Sequence, residues 1–256
     1  MPQATVDPFT ICVSPLTMRF DDSELSIGTC FFWQEGDTKY LITNWHNVSG
    51  KNPQTGKHLS SNAGEPNNLL FDVWGVGNLN DRVGVCMQIE RNGTKLWLEH
   101  PQYRGGVDVA AIALPQELGE RVFPINSNLE HNIHTAVASE IFILGFPLGL
   151  NVERLPIWKR ASVASEPDFD IDDLPKMYVD TASSPGMSGS PVIRRVSGAI
   201  PMKGGGIDIG PGSATDFLGV YSGRVVSEGS LDAQLGVVWK ARVIGEIIKG
   251  KRAEGE

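Results

Sequence analysis

The sequence predicts an all-β chain of two antiparallel β-barrels followed by a single C-terminal α-helix. Three observations predict it: short β-type runs punctuated by turn residues, a polar connection near mid-chain, and helical periodicity confined to the end.

The first half supplies runs at Gly28 to Trp33, Tyr40 to Thr43 and Leu70 to Trp74, each rich in aromatic or β-branched residues. Val83 to Glu90 and Thr94 to Glu99 flank Asn92-Gly93. Both central positions of a type I′ turn need positive φ, so this pair predicts a hairpin. Val107 to Leu114 adds an apolar strand that opens on an Asp. The polar stretch Gln116 to His134 then divides the chain into two halves, 1–120 and 121–256. In the second half the predicted strands are Ile141 to Gly145, Ser162 to Ser165, Met177 to Asp180, Pro191 to Arg194, Phe217 to Tyr221 and Gly236 to Trp239. Val243, Ile244, Ile247 and Ile248 share one helical face, and Glu254 to Glu256 reads as a solvated tail.

Two polar segments read as surface insertions. Lys51 to Asn68 follows His46 closely and is either a wall of the site or a variable loop; Ser197 to Thr215, with Gly204-Gly205-Gly206, reads as a loop.

Composition narrows the function. With 256 residues and 41% of them hydrophobic, the chain can bury a full core as one large domain or two small ones. Its apolar runs fall short of the roughly 20 residues a membrane-spanning helix needs, so no membrane role is expected. A net charge of -8 argues against binding nucleic acid, whose phosphates call for Lys and Arg. The start shows no secretory leader, and Cys12, Cys30 and Cys86 form no C-x-x-C pair. Buried free thiols and a cytoplasmic location are the expectation.

Three segments carry chemistry. Leu41 to Val48 delivers His46 from a strand end into a polar turn. Val107 to Leu114 sets Asp108 at the mouth of an apolar strand. Asp180 to Val192 contains Ser184-Pro185-Gly186-Met187-Ser188-Gly189-Ser190-Pro191. A serine hydroxyl needs a base to take its proton as it attacks a carbonyl, and an imidazole titrating near pH ~6.5 can take it and return it. A carboxylate on the other ring nitrogen fixes the tautomer. In this His, Asp, Ser order the chain closely resembles the trypsin-like (chymotrypsin-fold) serine peptidases, closest to the HtrA-type peptidase domain. The resemblance runs from about Gly28 to Trp239, and nothing resembling a PDZ domain follows.

The resemblance implies two six-stranded barrels with the site between them, the first carrying His46 and Asp108 and the second Ser188. It makes Ser188 the nucleophile, His46 the general base and Asp108 its orienting partner, with the Gly186 and Ser188 N–H groups as oxyanion hole. Ser222 falls where the family has a serine that bonds the Asp, on a strand that pairs with substrate backbone. Substrate-binding positions by the same carry-over are Ala182, Ser183, Ser222, Gly223, Arg224 and Gly236. Ala182, standing where trypsin-type enzymes hold an Asp, implies an uncharged pocket for small or medium apolar side chains, while Arg224 implies one for acidic side chains. Met187 stands where secreted zymogens carry the Asp that pairs with a newly cut N-terminus, so activation through that ion pair is not expected. Asn47 replaces the half-cystine that often follows the histidine.

Rival readings are weaker. An α/β-hydrolase has its histidine after the serine, whereas all five histidines here precede Ser188. A subtilisin-type order needs an Asp before His46, and Asp37 is available, but the helices of that architecture are lacking. His131 and His134 lack further metal ligands. Asp168 to Asp173 lacks the Gly and the Glu of a calcium loop and reads as a solvated acidic loop. No cofactor or metal is expected. The expected activity is hydrolysis of protein or peptide substrates through an acyl-enzyme; the alternative is a latent or inactive protease-like binding module.

Overall fold

The computed structural model describes residues 6–60, 64–75, 78–130, 132–224 and 234–250. Strands hold 51% of residues and helices 13%, which makes the chain mostly β. His131 and the tail from Glu254 lie outside the described residues.

In the first half, β1 (Val13–Phe20), β2 (Ser23–Glu35), β3 (Thr38–Thr43), β4 (Asn68–Gly75), β5 (Asn78–Gln88) and, after a small hairpin of β6 (Glu90–Arg91) and β7 (Thr94–Lys95), β8 (Ala110–Ala113) are antiparallel. They form one sheet in the order β5-β4-β1-β2-β3-β8. Its inward face follows the strand period of two: Leu16 and Met18 on β1 and Leu69, Phe71 and Val73 on β4 are buried, with Phe32 6.2 Å from Phe71 between ring centres. Of the two barrels expected, this half departs from closure, because β5 and β8 share no ladder among the described residues. The reason lies in the connection: Asn92 (φ 53) and Gly93 (φ 79) turn the chain as the sequence predicts, and only Leu98 then pairs with Ala111, at a single bridge.

In the second half β9 (Glu140–Gly145), β10 (Ile157–Val163), β11 (Lys176–Asp180), β12 (Pro191–Pro201), β13 (Ile207–Arg224) and β14 (Leu235–Lys240) close a barrel. Its interior is Ile141, Ile143, Val163, Met177, Val179, Val192, Tyr221 and Val238. The strand expected over Ser162 to Ser165 instead runs from Ile157 to Val163, where six residues pair with β9. Ser197 to Thr215 is not a loop. It prolongs β12 and β13 into a long hairpin, registered from Ser197 opposite Ser213 to Pro201 opposite Ile207, and only 202–206 turns. Glycine and serine content concealed strands whose pairing is supplied by the backbone. β1, which the sequence reading did not single out, pairs with both β2 and β4.

Between the halves, Phe31, Ile42 and Val109 meet Ile193, Phe217, Val220 and Trp239 in one core that also takes α2 (Arg242–Lys249). The α2 face is the one predicted: Val243, Ile244, Ile247 and Ile248 are all buried. Each such side chain contributes about 1.5–3 kcal/mol of burial. The start of α2 is tied to the Asp168 to Asp173 segment, which is therefore not merely solvated: Asp170 accepts from Lys240 Nζ at 2.7 Å and from Arg242. Burial raises the Asp170 pKa, but those two cationic donors outweigh it and hold the carboxyl below its ordinary value. Cys12 and Cys30 are buried and Cys86 is exposed, so one of the three thiols departs from expectation; all three are free.

Candidate active site

His46 sits in α1 (Trp45–Ser49), one short turn directly after β3. The left-handed Gly50 (φ 67) ends it, its N–H donating to the His46 carbonyl at 3.0 Å. Trp45 fixes this turn against the loop that leads to Asp108: its ring stands edge-on to Trp97, and its Nε1 donates to Glu99 at 2.8 Å. A Cβ at Gly105 would lie 2.6 Å from the Trp45 ring, so that close approach requires glycine.

This packing brings His46 and Asp108 together. His46 Nδ1 lies 2.7 Å from Asp108 Oδ2, and the His46 backbone N–H donates to Oδ1 at 2.8 Å. Ser222 Oγ donates to the same Oδ2, and Asn44 Nδ2 donates to the Asp108 backbone carbonyl at 2.7 Å. Asp108 is 1% exposed. A buried carboxylate is tolerated where it is paired and hydrogen-bonded in this way. The pair holds Nδ1 protonated, leaving Nε2 as the ring's acceptor.

Ser188 follows Gly186 and Met187 in the turn before β12, and its loop is seated by both halves. Gly189 N–H donates to the Tyr221 carbonyl at 2.9 Å within the barrel. From the first half, Thr29 N–H donates to the Ser188 carbonyl at 2.8 Å and Thr29 Oγ1 to the Gly186 carbonyl at 2.8 Å. Asn47 Nδ2 bonds Thr43 Oγ1 at 2.9 Å and the Ser188 carbonyl at 3.3 Å. At Gly189 (φ 88) a Cβ would meet the Thr29 carbonyl at 2.1 Å, which forces glycine there.

The peptide between Pro185 and Gly186 has a fixed direction. Leu148 N–H donates to the Pro185 carbonyl at 2.7 Å, and a planar trans peptide turns its N–H opposite to its C=O. Gly186 N–H therefore points away from Leu148. Gly186 has φ 91, and a Cβ would come within 2.3 Å of the Phe146 carbonyl. Met187 is 1% exposed in the apolar barrel interior, a site with no place for a charge.

His46, Asp108, Ser188, Ser222 and Arg224 line one cavity of about 280 Å³. Asn52, Pro53, Gln54 and Leu59 form one wall of it, so of the two readings of Lys51 to Asn68 the wall is observed; 61–63 lie outside the described residues. Leu174, Lys176, Val237 and Trp239 also line the cavity. Gly223 is beside the serine, a Cβ there falling 4.0 Å from Ser188 Oγ. Ala182, Ser183 and Gly236 do not line this cavity. Gly236 packs on the Tyr221 ring, where a Cβ would lie 2.5 Å away. Sequence reasoning missed Thr29, Asn44, Tyr221 and Lys176. Asn44 adjoins the His46 motif and Tyr221 adjoins Ser222, but Thr29 acts across 157 residues and nothing local marks it.

Comparison with known proteins fits this architecture. Residues 28–200 match the trypsin-like peptidase domain. No curated protein sequence matches the chain. Among solved structures, an inactive serine-to-alanine mutant form of Rv3671c from M. tuberculosis H37Rv is 18% identical, covers 100% of this chain and 98% of its own, with a TM-score of 0.50. Thermostable serine protease AL20, from an extremophilic microorganism, is 9% identical over 98% of this chain and 100% of its own, TM-score 0.52. Protease Anisep from Arthrobacter nicotinovorans is 15% identical over 93% and 94%, TM-score 0.50. At such identities the likeness speaks to fold, and the matched domain, over two thirds of the chain, assigns the family: this chain belongs to the trypsin-like peptidases.

Proposed function

We propose that the chain is a serine endopeptidase that cleaves protein or peptide substrates through an acyl-enzyme. In this reading Ser188 Oγ attacks the scissile carbonyl and passes its proton to His46 Nε2. The tetrahedral intermediate then expels the amine, which takes that proton, and water repeats the sequence on the ester. Asp108 keeps Nδ1 protonated and stabilises the imidazolium as it forms. The observation that carries the reading is the doubly bonded His46–Asp108 pair, its carboxylate buried and its imidazole half-buried, at the cavity that Ser188 also lines.

The N–H groups of Gly186 and Ser188 would receive the developing oxyanion, each donor contributing about 3–4 kcal/mol to the transition state. The Leu148 bond to Pro185 supports this role by orienting the Gly186 peptide. Ser188 Oγ forms no hydrogen bond to His46 among the described residues, a spacing common in free enzymes that tightens when substrate binds. Labelling of the full chain by a fluorophosphonate tests the proposal. It is expected for the native chain and lost in both Ser188→Ala and His46→Ala. A folded native chain that takes up no label is instead a protease-like binding module.

A further inference from the structure

Resting on the peptidase reading, we infer that Arg154 and Asp72 are positioning residues: their ion pair, made across the two halves, holds the segment 147–155 so that it aims the Gly186 N–H at the reacting carbonyl. The chain of contacts begins at the peptide between Pro185 and Gly186. Gly186 has φ 91, and glycine takes either sign of φ at little cost, so its own conformation does not keep that peptide from turning over. What fixes the peptide is the one hydrogen bond that the Pro185 carbonyl accepts among the described residues, from Leu148 N–H at 2.7 Å.

Leu148 stands in a segment that burial does not hold. Residues 148–154 are all exposed, and Leu148 (φ 55), Glu153 (φ 52) and Arg154 (φ 62) adopt left-handed conformations that residues other than glycine seldom take. Local bonds shape the segment: Gly149 N–H donates to the Phe146 carbonyl at 3.0 Å, Leu150 N–H to the Pro147 carbonyl at 2.8 Å and Arg154 N–H to Asn151 Oδ1 at 2.9 Å. Among the described residues, Arg154 alone of 148–154 carries a side-chain hydrogen bond out of it. Its Nε donates to Asp72 Oδ2 at 3.1 Å, its Nη2 to Asp72 Oδ1 at 2.5 Å and its Nη1 to the Arg82 carbonyl at 3.3 Å.

Asp72 is a fixed post for that tether. It lies on β4, buried, with its backbone N–H donating to Ser14 Oγ of β1 at 2.7 Å. A bidentate pair between guanidinium and carboxylate sets direction as well as distance. Arg82, stacked over Trp74 at 3.8 Å, brings a second cation near the same carboxylate, and its buried guanidinium nitrogens have no hydrogen-bond partner. Burial lowers its pKa to about 10, against the opposing pull of the Asp72 charge. Removing Arg154 therefore leaves Asp72 a counter-ion, whereas removing the Asp72 charge leaves two cations to repel each other.

The test compares the full native chain with Arg154→Gln, Asp72→Asn, the double variant and Arg154→Lys, measuring peptide cleavage, the rate of fluorophosphonate labelling and urea unfolding on each. Arg154→Gln is expected to lower kcat about tenfold or more, up to the roughly 10²- to 10³-fold that loss of one oxyanion donor costs. KM should change less than about twofold, because the oxyanion bond forms in the transition state and not with bound substrate. Labelling should slow in parallel. The double variant is expected to be no worse than the more damaged single variant, and Arg154→Lys to keep part of the native kcat. An unchanged kcat in folded Arg154→Gln, a rise in KM alone, or additive losses overturn the inference. So does activity lost only in step with folded protein, in Arg154→Gln as in Asp72→Asn, which makes the pair structural. A native chain that labels and cleaves while Arg154→Gln matches it overturns this inference alone; a native chain that does neither overturns the peptidase reading with it.

Discussion

The His46–Asp108 pair and the Ser188 loop are held in place by different means. The pair is almost self-contained: α1, Asn44 and the loop before β8 supply its bonds, and among the described residues only Ser222 crosses from the other half. The Ser188 loop rests on its own barrel at Gly189 and equally on Thr29 and Asn47 of the first half. His46 and Ser188, the proposed base and nucleophile, thus belong to different sheets, and the buried polar contacts across the seam set their separation. An orienting bond can be local, whereas the distance the proton must cross is a property of how two β-structures dock.

The contrast can be broken in order of expected effect. Ser188→Ala is expected to lower kcat by about 10⁶, with His46→Ala nearly as severe and the double variant no worse than either. Additive losses in a steady-state peptide assay would show that the two do not act as a unit. Asp108→Asn should cost about 10⁴ in kcat while leaving fluorophosphonate binding geometry intact, because the wrong tautomer presents N–H where the acceptor is needed. Gly186→Ala should lower kcat about 10²- to 10³-fold with KM little changed, since the φ of 91 and the Phe146 carbonyl leave no space for a Cβ and the peptide must turn. An unaltered kcat there would remove Gly186 from the site.

The seam itself is probed by Thr29→Val, which keeps shape but strips the Gly186 carbonyl and the Phe146 N–H of their shared partner. A loss of about 1–3 kcal/mol in urea unfolding, with a fall in kcat, is expected; a fall in stability alone would make Thr29 structural only. Least disruptive is thiol labelling. Burial pushes the Cys12 thiol up to about 12 and raises Cys30 further, whereas Cys86 is exposed. One equivalent should react in the native chain and three after denaturation.

Much of the site was legible because its chemistry needs particular residue types at strand ends. His46, Asp108, Ser188 and the flanking glycines of the candidate site stand in short segments that their order and the resemblance they carry single out. The helix was legible for a related reason: four aliphatics repeat at its period, and burial on one face demands that repeat. What stayed hidden was pairing. Ser197 to Thr215 reads as loop residue by residue, yet its ladder forms because β12 and β13 present backbone groups in register. β8 is short and bridges at only one residue toward Leu98, a detail no local propensity encodes.

The sequence by itself determined the strand-rich class, the terminal helix, the order of the chemical residues and the thiols' lack of paired spacing, since each depends on side-chain identity or local period. Only the tertiary structure decided that the second sheet closes while the first shows no closing ladder among the described residues, and that Thr29 and Asn47 seat the serine loop. Those outcomes depend on contacts between residues far apart in the chain, whose free energy exists only once the two halves have packed and excluded water from the seam.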